Sequence, residues 1–329
     1  MVKTKTFIYD CFTQYYSGVK MKIGFEPEKK NAFGNTIYDP RTKVLENPNV
    51  RANVEATLDN VLEHLGIDKD MIDIIRPTVM AAVEEDCKLG VYEKALAHIL
   101  IDSGVSQKIP EKLGNRAGII LGQISEHIEG KDICDYGCGD GKVGELIAEQ
   151  GYNVSLADIY RHSHIDNIGL PFAEFKVGEP APFEAESFDT TLLLTVLHHS
   201  DKILGTLRDA ARITRKGGRI IVIESVYGVD KEIMQSPTPQ EEKFLGLTKD
   251  EQRFSNIFFD HFYNRAVHYS LEPDKKVPVP YNFWTPDKWR ELFKAHDLEQ
   301  VHLRYLGIDQ PVVPEFHTLH VLNKIDNYR

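Results

Sequence analysis

From Asp132 to the C-terminus short apolar runs alternate with helical stretches, and this alternation constrains the fold more than any other feature of the chain. Ile133–Tyr136, Val154–Asp158, Phe172–Val177, Thr190–Val196 and Arg219–Ser225 read as strands, with helices expected over Val143–Glu149 and about 201–214. Strands separated by helices return to a sheet in parallel, because each crossover needs a helix-length connection. The Ile- and Val-rich run Arg219–Ser225 suits a strand covered on both faces. A helix over 286–296 and strands near 300–306 and 317–323 complete the pattern. A long, mostly helical insertion interrupts it between about 230 and 285.

Residues 1–130 read differently, as a mainly helical domain preceding a second one over 131–329. An aromatic-rich opening that includes Tyr15 and Tyr16 leads into a loop-like region. Then Val54, Leu58, Val61, Leu62 and Leu65 line one face of a helix that Gly66 should stop. Further helical runs are predicted near 70–76, 78–88, 91–103 and 111–128. The domain is expected either to cover a substrate or to form a homodimer interface.

Fifty acidic against 39 basic residues give a net charge of −11, which disfavours nucleic acid as a partner. The apolar run Leu192–Leu197 is too short to span a bilayer, so no membrane partner is expected. The N-terminus lacks an apolar signal region, and four cysteines in so long a chain do not suggest a disulfide framework. These features predict a cytoplasmic protein.

The run Asp135-Tyr-Gly137-Cys138-Gly139-Asp140-Gly141 follows the first strand and opens its helix. Glycines there allow a sharp turn and close approach to a ligand. The second strand ends in Asp158, with Ile159 beside it, where an acid accepts hydrogen bonds from ribose hydroxyls. Gly139 to Gly144 also satisfies the dinucleotide pattern G-x-G-x-x-G, but it begins too far beyond the strand. Asp135 would meet a pyrophosphate with like charge and suits a cationic ligand instead.

The loop matches the D-x-G-x-G-x-G motif of class I S-adenosylmethionine-dependent methyltransferases. The chain resembles their small-molecule branch over about 131–329. Gly178-Glu179, Pro182-Phe183 and Ser187-Phe188-Asp189 look like the family's G-D…L-P-F…S-F-D segment. Thr195 to Asp201, Arg212 to Ile220 and Asn282 to Trp289 extend the series. The resemblance implies a Rossmann-like seven-stranded, mostly parallel sheet of order 3-2-1-4-5-7-6 with its last strand antiparallel. It implies S-adenosylmethionine as donor and S-adenosylhomocysteine as product. Its donor site would comprise Asp135, Gly137, Cys138, Gly139, Asp158, Ile159, Glu179 and Thr195, with Glu179 at the adenine amino group.

Methyl transfer is an in-line displacement, mainly a problem of orientation, with a base where the nucleophile must lose a proton. His198 and His199, after the fourth strand, are candidates for that base; the other reading has them hold the loop. Glu224 ends the fifth strand as a substrate contact or a loop cap. In the insertion, His261, Arg265 and His268 share one helical face, suited to an anionic substrate group. Asp260 and Asn264 form a polar pair beside them, and Tyr263 and Asn282 join the expected substrate contacts. His261 is the third candidate catalytic residue. His317 and His320 alternate across a strand, poor spacing for a metal, and none is expected. The function predicted is methyl transfer to an O, N, S or C nucleophile of a small molecule. A protein methyltransferase and a non-catalytic S-adenosylmethionine-binding module are the alternatives.

Overall fold

The computed structural model describes residues 29–30, 36–37, 39–267, 279–310 and 312–325. A two-residue ladder pairs Lys29–Lys30 with Thr36–Ile37. Helices α1 (Pro40–Glu46), α2 (Pro48–His64), α3 (Lys69–Glu84), α4 (Leu89–Asp102), α5 (Val105–Leu113) and α6 (Arg116–Ile124) precede strand β1 (Asp132–Tyr136). Then come α7 (Lys142–Glu149), β2 (Asn153–Asp158), α8 (Ile165–Ile168), β3 (Phe172–Glu174), β4 (Phe188–Leu194), α9 (Ile203–Ile213) and β5 (Thr214–Ser225). Helices α10 (Pro239–Leu245) and α11 (Lys249–His261) fill the insertion, and a π-helical turn, Phe262–Val267, prolongs α11. Helix α12 (Pro286–Ala295) and strands β6 (Leu298–Gly307) and β7 (His317–Lys324) complete the order.

The chain forms two compact units. The helical unit takes 1–113, 238–279 and 310–314, and the sheet unit takes 114–237, 280–309 and 315–329. The boundary expected near 130 therefore falls after Leu113. Helix α6 goes with the sheet because Ile120 and Ile124 pack in one core with Ile133, Leu156, Leu192, Ile221 and Leu319. Part of the expected insertion shares the core of the helical unit: Phe258, Phe259 and Phe262 pack with Val54, Leu58 and Leu96.

In the helical unit, Asn47 caps α2 by accepting the N–H groups of Asn49 and Val50 at 2.9 and 3.1 Å. Pro48 fits the first turn, where no backbone donor is needed. The helix ends at His64, two residues before Gly66, whose φ of +69° turns the chain. The two runs expected on either side of Pro77 are one helix, α3. Ile75, Val79, Met80 and Val83 all bury in the unit's core, which offsets the hydrogen bond that a mid-helix proline removes.

In the sheet unit, the strands lie in the order 3-2-1-4-5-7-6. β7 runs antiparallel to both β5 and β6, and the other described pairs are parallel. β5 is longer than expected, starting at Thr214, whereas β3 stops at Glu174. Ile133, Leu156, Ile221, Ile223, Leu319 and Val321 face the core that includes α6. The period of two then puts Asp135, Asp158, Ser225 and His317 on that same face, at the carboxyl ends of the parallel strands.

Candidate active site

The glycine loop turns through three left-handed residues, Gly137, Gly139 and Gly141, at φ +76°, +54° and +77°. A Cβ at Gly139 would meet no atom within 4 Å, so the loop is open there to a ligand. The N–H groups of Gly137 and Cys138 donate to Ala157 O at 2.7 and 3.1 Å, pinning the turn to β2.

Asp158 does more than the sequence suggests. Its Oδ2 accepts the Gly139 N–H at 2.8 Å, while Oδ1 accepts those of Ile159 (2.6 Å) and Tyr160 (3.4 Å). The expected ribose acid thus also ties the glycine loop to the end of β2. A carboxylate has about four lone-pair sites, so Oδ2 retains one for a ligand hydroxyl.

Asp135 is buried at the end of β1, its Oδ2 accepting the Gly144 N–H at 3.2 Å. Burial pushes its pKa up to about 7, against that hydrogen bond and with the help of the Asp158 and Asp140 charges. Among the described residues no cation contributes to that balance. A buried carboxyl of this kind fits the ammonium end of S-adenosylmethionine, which would supply the missing charge. Binding a cation then requires Asp135 to ionise. Donor affinity is therefore expected to fall roughly tenfold per unit as pH drops below about 7, and to weaken again where the donor's own ammonium deprotonates, as titration calorimetry across pH would show.

Cys138 is half-buried and its thiol is pushed far above the ordinary range by burial and by Asp135 and Asp158, which makes it a poor nucleophile. Thr195 ends β4 with a left-handed backbone (φ +60°), a strained state for a β-branched residue. Its N–H donates to Ile223 O at 2.7 Å. Glu179 stands exposed on the turn after β3, its N–H donating to Lys176 O.

Sequence reasoning missed Arg116. Its Nη2 donates to Thr195 Oγ1 at 3.3 Å, and its Nε has no hydrogen-bond partner among the described residues. Burial lowers its pKa against the pull of Glu315, Asp309 and Asp140. No local signal marks this arginine, because α6 reaches the loop after β4 only in the folded unit.

His198 and Glu224 form a buried pair, Nδ1 to Oε2 at 2.6 Å, while Glu224 Oε1 accepts the Leu197 N–H at 2.7 Å. Phe283 stacks on His198, with centroids 5.4 Å apart. His199 is half-buried, its ring centroid 4.0 Å from that of His198. Asn282 Nδ2 donates to Ser200 O at 2.9 Å, fixing the end of the same loop.

The remaining predicted residues lie in the helical unit. His261 is buried, with its Nε2 3.4 Å from Glu93 Oε1 and its ring stacked on Tyr92. Burial and the charges of Arg265 and Arg41 press its pKa down to about 3, against Asp39, so it is neutral and weakly basic. Arg265 also faces Glu93, at 3.9 Å, so an anionic group there would compete with a carboxylate. Asn264 Nδ2 donates to Asp260 O and Oδ1, at 2.9 and 2.7 Å. Tyr263 is buried in the π-helical turn. His268, Tyr15 and Tyr16 lie outside the described residues.

A family model described as a methyltransferase domain matches residues 111–303. The ubiquinone biosynthesis O-methyltransferase of Ralstonia nicotianae is 27% identical over 106 residues, 30% of this chain and 44% of that protein. The demethylmenaquinone methyltransferase of Tropheryma whipplei is 31% identical over 104 residues, 29% and 42% of the two chains. The chain thus spans less than half the length of these relatives. A solved structure of the 1,6-didemethyltoxoflavin-N1-methyltransferase of Burkholderia thailandensis, with bound 1,6-didemethyltoxoflavin and S-adenosylhomocysteine, overlaps at TM-score 0.42 and 16% identity. That overlap covers 64% of this chain and 76% of the other. Among the described residues, no helix is long and apolar enough to cross a membrane.

Proposed function

The chain belongs to the methyltransferase domain family, the class I S-adenosylmethionine-dependent enzymes, and on that premise we propose that it methylates a small molecule. The observation that carries the reading is Asp135, a buried carboxyl with no cation beside it among the described residues, next to an open glycine loop. When bound, S-adenosylmethionine supplies a methyl carbon made electrophilic by the adjoining sulfonium charge.

Asp135 holds the donor's ammonium and Arg116 its carboxylate, two opposite charges that fix the amino-acid end. Asp158 accepts from the ribose hydroxyls, with Ile159 beside it, and Glu179 serves the adenine amino group. Gly137, Cys138 and Gly139 give the backbone close approach, and Thr195 shapes the wall at the end of β4. Glu224 locks His198 and Leu197, so this loop is set before substrate arrives and methyl transfer becomes a matter of aim. His199 forms the wall beside it.

On the acceptor side, Asn282, which holds the end of the loop after β4, contacts the substrate. The low pKa of His261 supports a hydrogen-bonding role over a proton-taking one. The helical unit then serves as substrate cover or dimer surface. Three described cysteines are free, which supports a cytoplasmic setting.

Calorimetry with S-adenosylmethionine and with NAD, followed by methyl transfer across a panel of phenols, amines, thiols and carboxylates, tests the reading. Preferential NAD binding would overturn it. Asp158→Ala is expected to weaken donor binding by about 1–3 kcal/mol. Undiminished affinity would show that the ribose contact is misplaced.

A further inference from the structure

We infer that His317, oriented by Asp309, takes the proton from an acceptor hydroxyl or N–H as the methyl group is transferred. This inference rests on the methyl-transfer reading. The two residues come from different segments, Asp309 just after β6 and His317 at the start of β7, and the sheet brings them together. His317 Nδ1 lies 2.8 Å from Asp309 Oδ1, and the histidine side chain is 1% exposed. Asp309 Oδ2 accepts the Gln123 amide of α6 at 2.5 Å. Burial would raise the Asp309 pKa, but the charge and hydrogen bond of His317 and the Gln123 amide outweigh it, and the carboxyl sits below its ordinary value.

An ionised carboxylate can only accept, so Nδ1 carries a proton, and it is in the neutral ring that Nε2 presents a lone pair. Among the described residues nothing hydrogen-bonds to Nε2, although it is buried. A buried acceptor without a partner is costly, and a histidine turned by a carboxylate with its second nitrogen bare is the arrangement a general base needs.

The position agrees. His317 shares its sheet face and its carboxyl-end edge with Asp135 and Asp158, and it pairs in register with Ser225. β7 lies two strand spacings from β4, about 10 Å, within reach of a compact ring held beside Thr195. Besides Asp135 and Asp158, described charged side chains at this edge include Asp309, Glu315 and Arg116. Asp309 holds the ring, Glu315 bonds Ser225 at the end of β5, and Arg116 reaches in from α6.

In the step, a lone pair of the acceptor oxygen or nitrogen forms the new bond to the methyl carbon. The carbon–sulfur bond breaks with its electron pair left on sulfur. The acceptor's proton passes to Nε2, and Asp309 balances the imidazolium until water removes the proton. Acceptors without such a proton, such as thioethers and tertiary amines, would gain nothing from His317.

Two measurements test this on the full chain. Long-range proton–nitrogen spectra of ¹⁵N-histidine-labelled protein, with His317→Gln assigning the resonance, should show the Nδ1–H tautomer with Nε2 unprotonated at neutral pH. An Nε2–H tautomer, or a doubly protonated ring, overturns the inference without touching the methyl-transfer reading. With an acceptor the wild type methylates, His317→Gln should lower kcat about 10²–10⁴-fold at unchanged donor affinity. Unchanged kcat overturns the inference. Asp309→Asn, which keeps the size of the side chain, should lower kcat in the same direction if His317→Gln fails to fold. A wild type that binds no S-adenosylmethionine and methylates nothing would instead overturn the proposed function, whichever tautomer is found.

Discussion

Gly137→Ala is expected to destabilise the sheet unit by about 2–5 kcal/mol and to abolish measurable donor binding. Two effects add. The residue sits at φ +76°, where an L-residue is strained by about 1–2 kcal/mol. A Cβ there would also stand 2.5 Å from Val196 Cγ2 and 2.9 Å from Cγ1, overlaps that force the β4 loop to shift at about 1–3 kcal/mol. Because Gly137 donates to Ala157 O, the displaced backbone would drag the loop off β2. Thermal unfolding and calorimetry read both parts. Adding Val196→Ala should restore some stability by removing the overlap while leaving the φ strain. A single variant that melts and binds like the wild type would show that the loop does not need this glycine.

Glu224→Ala should cost about 3–5 kcal/mol, because the carboxylate is fully buried and has two partners. Its removal leaves the Leu197 N–H and His198 Nδ1 without their acceptor, and it opens a cavity at the end of β5. The loop carrying His198 and His199 then loses its fixed shape, so methyl transfer should fall further than donor binding does. Glu224→Gln retains an acceptor for Leu197 and should lose much less in both respects. Denaturant titration of the two variants decides the matter, and equal stabilities would remove the pair as the element that sets the loop.

The match between sequence and fold follows from which interactions are local. The turn from β1 through Gly137, Gly139 and Gly141 was legible because left-handed backbone strongly favours glycine at each position. Asp158 was legible as the acid ending a strand, but its bond to Gly139 was not, since that contact joins two strand ends. Pro77 misled because a proline's local cost is fixed while its compensation, the burial of Ile75, Val79 and Met80, is tertiary. His317 and His320 were weighed only as metal ligands. The feature that distinguishes His317, the carboxylate of Asp309 at its Nδ1, arises across the turn between two antiparallel strands.

The sequence by itself therefore determined the alternation of strands and helices, the glycine turn and the acids beside it, because each depends on backbone geometry or on a strand's end. Only the tertiary structure decided that α6 belongs with the sheet, that Arg116 reaches Thr195, and that Glu224 locks His198 while Asp309 turns His317. Most of those pairings are made by side chains far apart in the chain, and Asp309 meets His317 only because β6 and β7 pair. Their energies come from burial and mutual desolvation, which no local pattern of residues encodes.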